Sequence, residues 1–180
     1  RLGLWCSVAL AENNPAKGIK YRHAWNVVRL GGQYYHLDAT FDNSLGGDGL
    51  VRYDYFNLDD RRLFRDHEAL VYPVPPCADG NHFYYKEAGR SFTRVEDAAR
   101  RAAQAIRKKQ PLVFHWRGGP LTREVLGELA AALEEAAGAK GRHAAIRLNW
   151  PQVVLEVRFP EAPPADTCVA QEANEGEALE

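Results

Sequence analysis

The stretch His23-Ala-Trp-Asn-Val-Val-Arg-Leu30, Gly31-Gly32, Gln33-Tyr-Tyr-His-Leu-Asp38-Ala-Thr-Phe-Asp42 decides the fold. Two apolar, β-branched and aromatic runs flank a Gly-Gly dipeptide, which takes the positive φ angles of a two-residue hairpin turn at no steric cost. If Leu30 and Gln33 close that turn, His23 faces Thr40, Trp25 faces Asp38, Val27 faces His36 and Arg29 faces Tyr34. All eight then share one face, because directly paired residues lie on the same side and side chains alternate along a strand. His23 and Asp38 become diagonal neighbours at roughly 7–8 Å, within reach of a histidine–carboxylate hydrogen bond. An aspartate that orients an imidazole is two thirds of a nucleophilic triad. The nucleophile is the missing third.

The pattern His-Ala-Trp-Asn-x-Val-x-x-x-Gly-x-Tyr-Tyr-x-x-Asp-x-Thr-Phe-Asp resembles the transglutaminase-like superfamily of papain-type cysteine acyltransferases and peptidases. The resemblance covers the first half of the chain and is supported by Tyr53–Asn57, Asp66-His67, Tyr72–Cys77 and Phe83-Tyr84-Tyr85, which look like the continuation in bacterial members. It implies an α+β, papain-like core with an antiparallel sheet and a Cys-His-Asp triad. His23 and Asp38 take the histidine and aspartate places, with Trp25 and Thr40 beside them. The family's cysteine opens a helix well upstream of the histidine strand, and this chain starts too late to include it.

None of the three cysteines fits that place. Leu4–Leu10 reads as a buried strand, with no following helix whose dipole would lower the thiol pKa of Cys6, so Cys6 reads as a core residue. Cys77 follows Pro75-Pro76 in a rigid loop and reads as packing, and Cys168 lies in a polar tail. With Arg1 first and no methionine anywhere, the chain is expected to be a fragment whose upstream portion carries the nucleophile.

Composition bounds the remaining choices. The 180 residues, 46% hydrophobic and 11% aromatic, are enough for a real core. Net charge is −1, but residues 161–180 hold six acids and no Lys or Arg, leaving the rest at +5. Three scattered cysteines make neither a disulfide framework nor a C-x-x-C metal site. No apolar run approaches the roughly 20 residues of a membrane span. The organisation expected is 1–90 as the C-terminal part of a transglutaminase-like domain, 91–160 as a small α-β-α-β-β region packed on or appended to it, and 161–180 as a disordered acidic tail.

Within those regions the signals are local. Tyr53–Leu58 reads as a strand and Asp59–Arg65 as a short helix. Thr93-x-x-Glu96 reads as a capping box opening a helix to Lys109. Leu112–Trp116 is a compact strand, and Thr122–Ala137 an amphipathic helix with a Val125, Leu126, Leu129, Leu133, Ala136 stripe. His143–Trp150 and Gln152–Phe159 read as paired strands, with Val153, Leu155, Val157 and Phe159 turned inward.

Other features take plainer readings. Asp42, Ser44 and Asp48 lack the glutamate of an EF-hand, since Tyr53 stands in its place. His67, His82, His115 and His143 lack metal-ligand spacing, and His36 reads as a bystander or substrate-side residue. Arg100-Arg101 and Arg107–Lys109 form a solvated helix face rather than a nucleic-acid patch.

The expected function is acyl transfer or amide hydrolysis through a thioester on a protein or peptide substrate. No cofactor, metal, nucleic acid or membrane span is called for. The setting is bacterial, either cytoplasmic or at the cell envelope and beyond. The alternative is a non-catalytic binding or scaffold domain that keeps the fold.

Overall fold

A computed structural model describes residues 3–12, 22–47, 49–68 and 70–161. Cys168 and the acidic tail beyond Glu161, together with Asp48, lie outside the described residues. The elements run β1 (Cys6–Ala11), β2 (His23–Leu30), β3 (Gln33–Leu37), α1 (Ala39–Leu45), β4 (Phe56–Leu58), α2 (Asp60–Leu63), α3 (Tyr84–Glu87), β5 (Ser91–Phe92), α4 (Val95–Arg107), β6 (Leu112–Trp116), α5 (Arg123–Gly138), β7 (Ala145–Asn149) and β8 (Val154–Arg158). The class is mixed α+β, with one sheet in the order β1-β2-β3-β4 and a second in the order β5-β6-β8-β7.

The β2–β3 hairpin turns on Gly31 and Gly32 at φ 55° and 86°, and its register pairs Leu30 with Gln33, Arg29 with Tyr34, Val27 with His36 and Asn26 with Leu37. Pairing stops there. Asp38 does not continue opposite Trp25; it caps α1, its side chain accepting the Phe41 N–H at 2.9 Å. An aspartate at that position offers the orphan amides of a first turn a better partner than a strand would. Thr40 therefore sits in α1, exposed, and not across from His23.

β1 pairs antiparallel with β2, Ala11 beside His23 and Cys6 beside Val28. The alternation in Cys-Ser-Val-Ala-Leu-Ala buries Ala9 and Ala11 and leaves Val8 and Leu10 58% and 41% exposed. The expectation of a buried strand with a core cysteine is corrected: Cys6 is exposed. Small residues fill the inner positions because Trp25 and Tyr55 already occupy that side of the core.

In the second half β5 and β6 are parallel, while β6, β8 and β7 are antiparallel. Leu112, Phe114, Trp116, Leu155 and Val157 pack under α4 and α5 through Ala98, Ala102, Leu129 and Leu133. Val113 and Val154, on the opposite face, join the core of the first half. β8 is thus covered on both sides, and Val154 and Glu156 are as buried as Leu155 and Val157. Val153, expected inside the strand, precedes it at φ 54°.

Helix starts show the same competition between local and tertiary signals. Thr122 caps α5, accepting the Val125 N–H at 3.3 Å. The Thr93–Glu96 box does not form, because α4 starts one residue later with Arg94 at the cap position and no side-chain cap. Thr93 instead belongs to the segment whose neighbour Phe92 pairs with Trp116.

The two halves are joined by a buried polar network. Arg52 binds Asp54 through two bonds of 3.0 and 2.7 Å and Glu156 of β8 at 2.7 Å. All three are buried, and Tyr85 Oη and Asn149 Nδ2 each donate to Asp54 at 2.9 Å. Arg158 donates to the other oxygen of Glu156 at 2.6 Å and Arg147 lies 3.9 Å from the first, so the buried carboxylates meet three cations.

Candidate active site

β2 starts on His23 and Asp38 caps the start of α1, so the hairpin register and the helix cap together bring the two side chains into contact. His23 Nε2 hydrogen-bonds Asp38 Oδ2. Asp38 is 1% exposed and the His23 side chain 24% exposed. Among the described residues no hydrogen bond reaches His23 Nδ1. Its ring lies between Trp25, stacked at 5.7 Å and 25°, and Phe41 at 4.9 Å.

A second histidine completes the arrangement. His67 Nε2 donates to the same Asp38 oxygen at 2.9 Å, and His67 Nδ1 donates to Asp66 Oδ1 at 2.9 Å. With a carboxylate on each nitrogen, the ring keeps both protons. Burial works against that charge, but the bonds to Asp38 and Asp66 overcome it and raise the His67 pKa. Burial likewise pushes Asp38 up, yet bonds from His67, His23 and the Phe41 amide hold its pKa below the ordinary value. Asp38 is an ionised carboxylate, held by three donors.

Asp66 is fixed in turn by Tyr55, whose hydroxyl donates to its other oxygen. Asn149 of β7 touches both Tyr55 Oη, at 3.4 Å, and Asp54. A hydrogen-bonded path therefore runs from Glu156 and Arg52 through Asp54, Asn149, Tyr55, Asp66 and His67 to Asp38 and His23. The second half of the chain, with no chemistry of its own in the sequence, braces the histidine–aspartate pair from behind. One turn past Asp38, half-buried Asp42 accepts the Tyr55 N–H at 2.9 Å. Burial and the nearby Asp54 and Asp38 charges push its pKa up to about 7. Asp38 and Asp42 line a pocket of about 640 Å³ with Asn43, Arg52, Tyr53 and Phe56.

The other candidates fall elsewhere. Trp25 is a buried wall, and its indole N–H donates to His36 Nδ1 at 2.9 Å. His36 is fully buried, which corrects its reading as a substrate-side residue. Its Nε2 donates to Asp60 Oδ1 at 2.8 Å, and Asp60 Oδ2 accepts the Cys77 amide at 3.1 Å. The Cys77 thiol is buried, and burial together with Asp60 and Asp59 pushes its pKa up to about 12. Cys6 lies on the opposite face of the sheet from His23, five residues along β1 from its partner Ala11, roughly 17 Å at strand rise. Neither cysteine is placed to be activated by His23.

Sequence reasoning missed His67, Asp66, Tyr55 and the Arg52 network. Asp66-His67 is visible in the sequence only as a motif, and nothing in its spacing from His23 announces contact, because a tertiary fold brings it there. Among the described residues two groups bring three metal-ligating types within 4.8 Å of one another: His23, Asp38 and His67, and His36, Asp60 and Cys77. No helix is long and apolar enough to cross a membrane among the described residues. No protein-family model matches the chain, and no curated protein matches it.

Proposed function

We propose that His23 and Asp38 are the base and orienting carboxylate of a transglutaminase-like cysteine acyltransferase or amide hydrolase, on an α+β core of papain type. The observation that carries this is the asymmetry of His23: Nε2 is held by a buried carboxylate while Nδ1 is uncommitted on a partly exposed ring. A hydrogen bond at Nε2 fixes the tautomer whose Nδ1 lone pair accepts a proton. The nucleophile this reading calls for is a cysteine thiol, which neither Cys6 nor Cys77 supplies at His23.

In this reading the thiol proton passes to His23 Nδ1, and the thiolate attacks the carbonyl carbon of a carboxamide or peptide. The C–N bond breaks as the Nδ1 proton moves to the departing nitrogen, leaving a thioester. An amine or water, deprotonated by the same nitrogen, resolves the thioester and returns the thiol. Asp38 stays ionised throughout and stabilises the imidazolium.

The full-length protein tests this directly. Incubation with a glutamine-containing peptide and a fluorescent amine should give a covalent acyl-enzyme and labelled or deamidated product. His23→Ala should bring turnover to near background. Asp38→Asn should lower it by up to about 10⁴, the loss seen when a serine triad loses its aspartate.

The second reading, a scaffold without chemistry, draws on the placement of Cys6 and Cys77 away from His23. No acyl-enzyme in the full-length wild type, with wild-type-like folding of both variants, would establish the scaffold in place of the enzyme.

A further inference from the structure

We propose that His23, Asp38 and His67 form a binding site for one divalent transition-metal ion of the zinc class. His23 Nε2, His67 Nε2 and Asp38 Oδ2 are mutually within 4.8 Å, and both nitrogens already converge on that single oxygen. Ligand atoms around a tetrahedral zinc stand about 3.3 Å apart, given bonds of about 2.0–2.1 Å. The 2.9 Å between His67 Nε2 and Asp38 Oδ2 needs only a few tenths of an ångström of widening, and the partly exposed His23 ring can turn outward to bring its Nε2 to its own place around the ion.

The surroundings are those of a metal site. His67 presents Nε2 while Nδ1–H is held by Asp66, the carboxylate–histidine arrangement that orients a ligating ring and raises its basicity. Asp38 Oδ1 is fixed by the Phe41 amide, which holds Oδ2, the oxygen that both histidines share, toward the ion. The charge sign fits as well, because two carboxylates, Asp38 and Asp66, flank the His67 ring and favour a cation there. Exposure at His23 supplies the entry path and the open fourth position for water or solute. The other cluster does not compete, because its histidine and cysteine, His36 and Cys77, are both fully buried and lack the entry path that His23 provides.

Occupancy has a chemical consequence that rests on the acyl-transfer reading. With the metal on Nε2, the neutral His23 ring keeps its hydrogen on Nδ1, and that nitrogen no longer accepts a thiol proton. The ion is therefore an inhibitor of the transfer reaction, displaced by chelators.

Binding is tested without any activity readout. Zinc is titrated into the full-length protein against a competing chromophoric chelator, while the histidine ring resonances are followed by ¹H–¹⁵N NMR. The expected result is saturation with the His23 and His67 rings shifting together and His36 and His115 unmoved. Asp38→Asn and His67→Gln should each weaken that binding at least about tenfold, and His82→Ala should not. Rings of His23 and His67 that stay unmoved at stoichiometric zinc overturn the proposal, and the wild-type spectrum is decisive even if a variant fails to fold. A saturating site in a protein without acyl transfer sinks the enzymatic reading and keeps this one. Chelator-insensitive acyl transfer with no bound zinc does the reverse.

Discussion

The β2–β3 hairpin supplies two histidines to one face, and the two meet opposite fates. His36 stands with Asp60 and Cys77, a set with the composition of a complete Cys-His-Asp triad. His23 stands with Asp38 and His67 and has no thiol among the described residues. Composition favours the first set and geometry the second. His36 is fully buried, and the Trp25 indole N–H, a donor only, obliges Nδ1 to accept, so Nε2 must carry the proton given to Asp60. Burial outweighs Asp60 and holds the His36 pKa below its ordinary value, and the neighbouring thiol is suppressed. One polar atom of that ring ties β3 to Trp25 of β2, and the other ties it to Asp60 of α2, which holds the Cys77 loop. His23 has one nitrogen spent and one open. What separates a brace from a base is the number of uncommitted atoms, not the residue types.

The sharpest way to break this contrast is to exchange the two losses. His36→Ala removes a buried ring and strands the Trp25 N–H and the Asp60 carboxylate, so unfolding free energy should fall by about 2–4 kcal/mol. His23→Ala removes a partly exposed ring and one hydrogen bond and should cost about 1 kcal/mol or less. Urea denaturation of both variants measures the difference. Equal losses would mean that His23 is as structural as His36.

The pH dependence of stability sharpens the comparison further, because the two clusters pull in opposite directions. His67 has a folded pKa above the ordinary 6.5, so its contribution is fully present below about pH 6.5 and is lost as pH rises through the folded value. His36 has a folded pKa below 6.5, so its contribution is present above that value and is lost as pH falls through the folded one. His115, pushed down to about 3 by burial and by Arg62 and other cations, adds to the acid-side loss. Each group gives a limiting slope of about 1.4 kcal/mol per pH unit. His67→Gln should flatten the alkaline limb, and His36→Gln should weaken but not abolish the acid limb. Denaturation between about pH 5 and 9 reads both, and unchanged limbs would refute the charge states drawn here.

How much of this is legible in the sequence depends on how local each signal is. The hairpin and its register follow from Gly31-Gly32 and the flanking runs, and they are as the sequence implies. The contact between His23 and Asp38 follows too, though for a different reason than strand pairing. Asp38 reaches His23 from a helix cap, and the Asp-Ala-Thr-Phe run carries that cap signal in an aspartate three residues before an amide it can bind. β1 misleads because its large hydrophobic residues suggest burial, while its inner positions are alanines. His67 and the Arg52–Asp54–Glu156 network are out of reach, since their partners lie far along the chain, Glu156 being 104 residues from Arg52. No periodicity encodes such pairs.

The smallest expected effect concerns Thr40. Strand pairing would have set it opposite His23, on the face of the site, where its hydroxyl would be a natural neighbour of the imidazole. The helix that starts after Asp38 instead turns Thr40 into an exposed first-turn residue. Its side chain has no hydrogen bond among those the structure shows, and alanine has the higher helix propensity by a few tenths of a kcal/mol. Thr40→Ala should therefore shift stability by no more than about 0.5 kcal/mol, in either direction, and leave the His23 ring resonances where they are. Thr40→Pro is the contrasting variant. Proline at this second helical position has no N–H to lose to the cap but must fit its ring against the turn that Asp38 starts. A clear change in the His23 resonances with Thr40→Ala would restore Thr40 to the site and would mean that the strand, not the helix cap, holds Asp38 in solution.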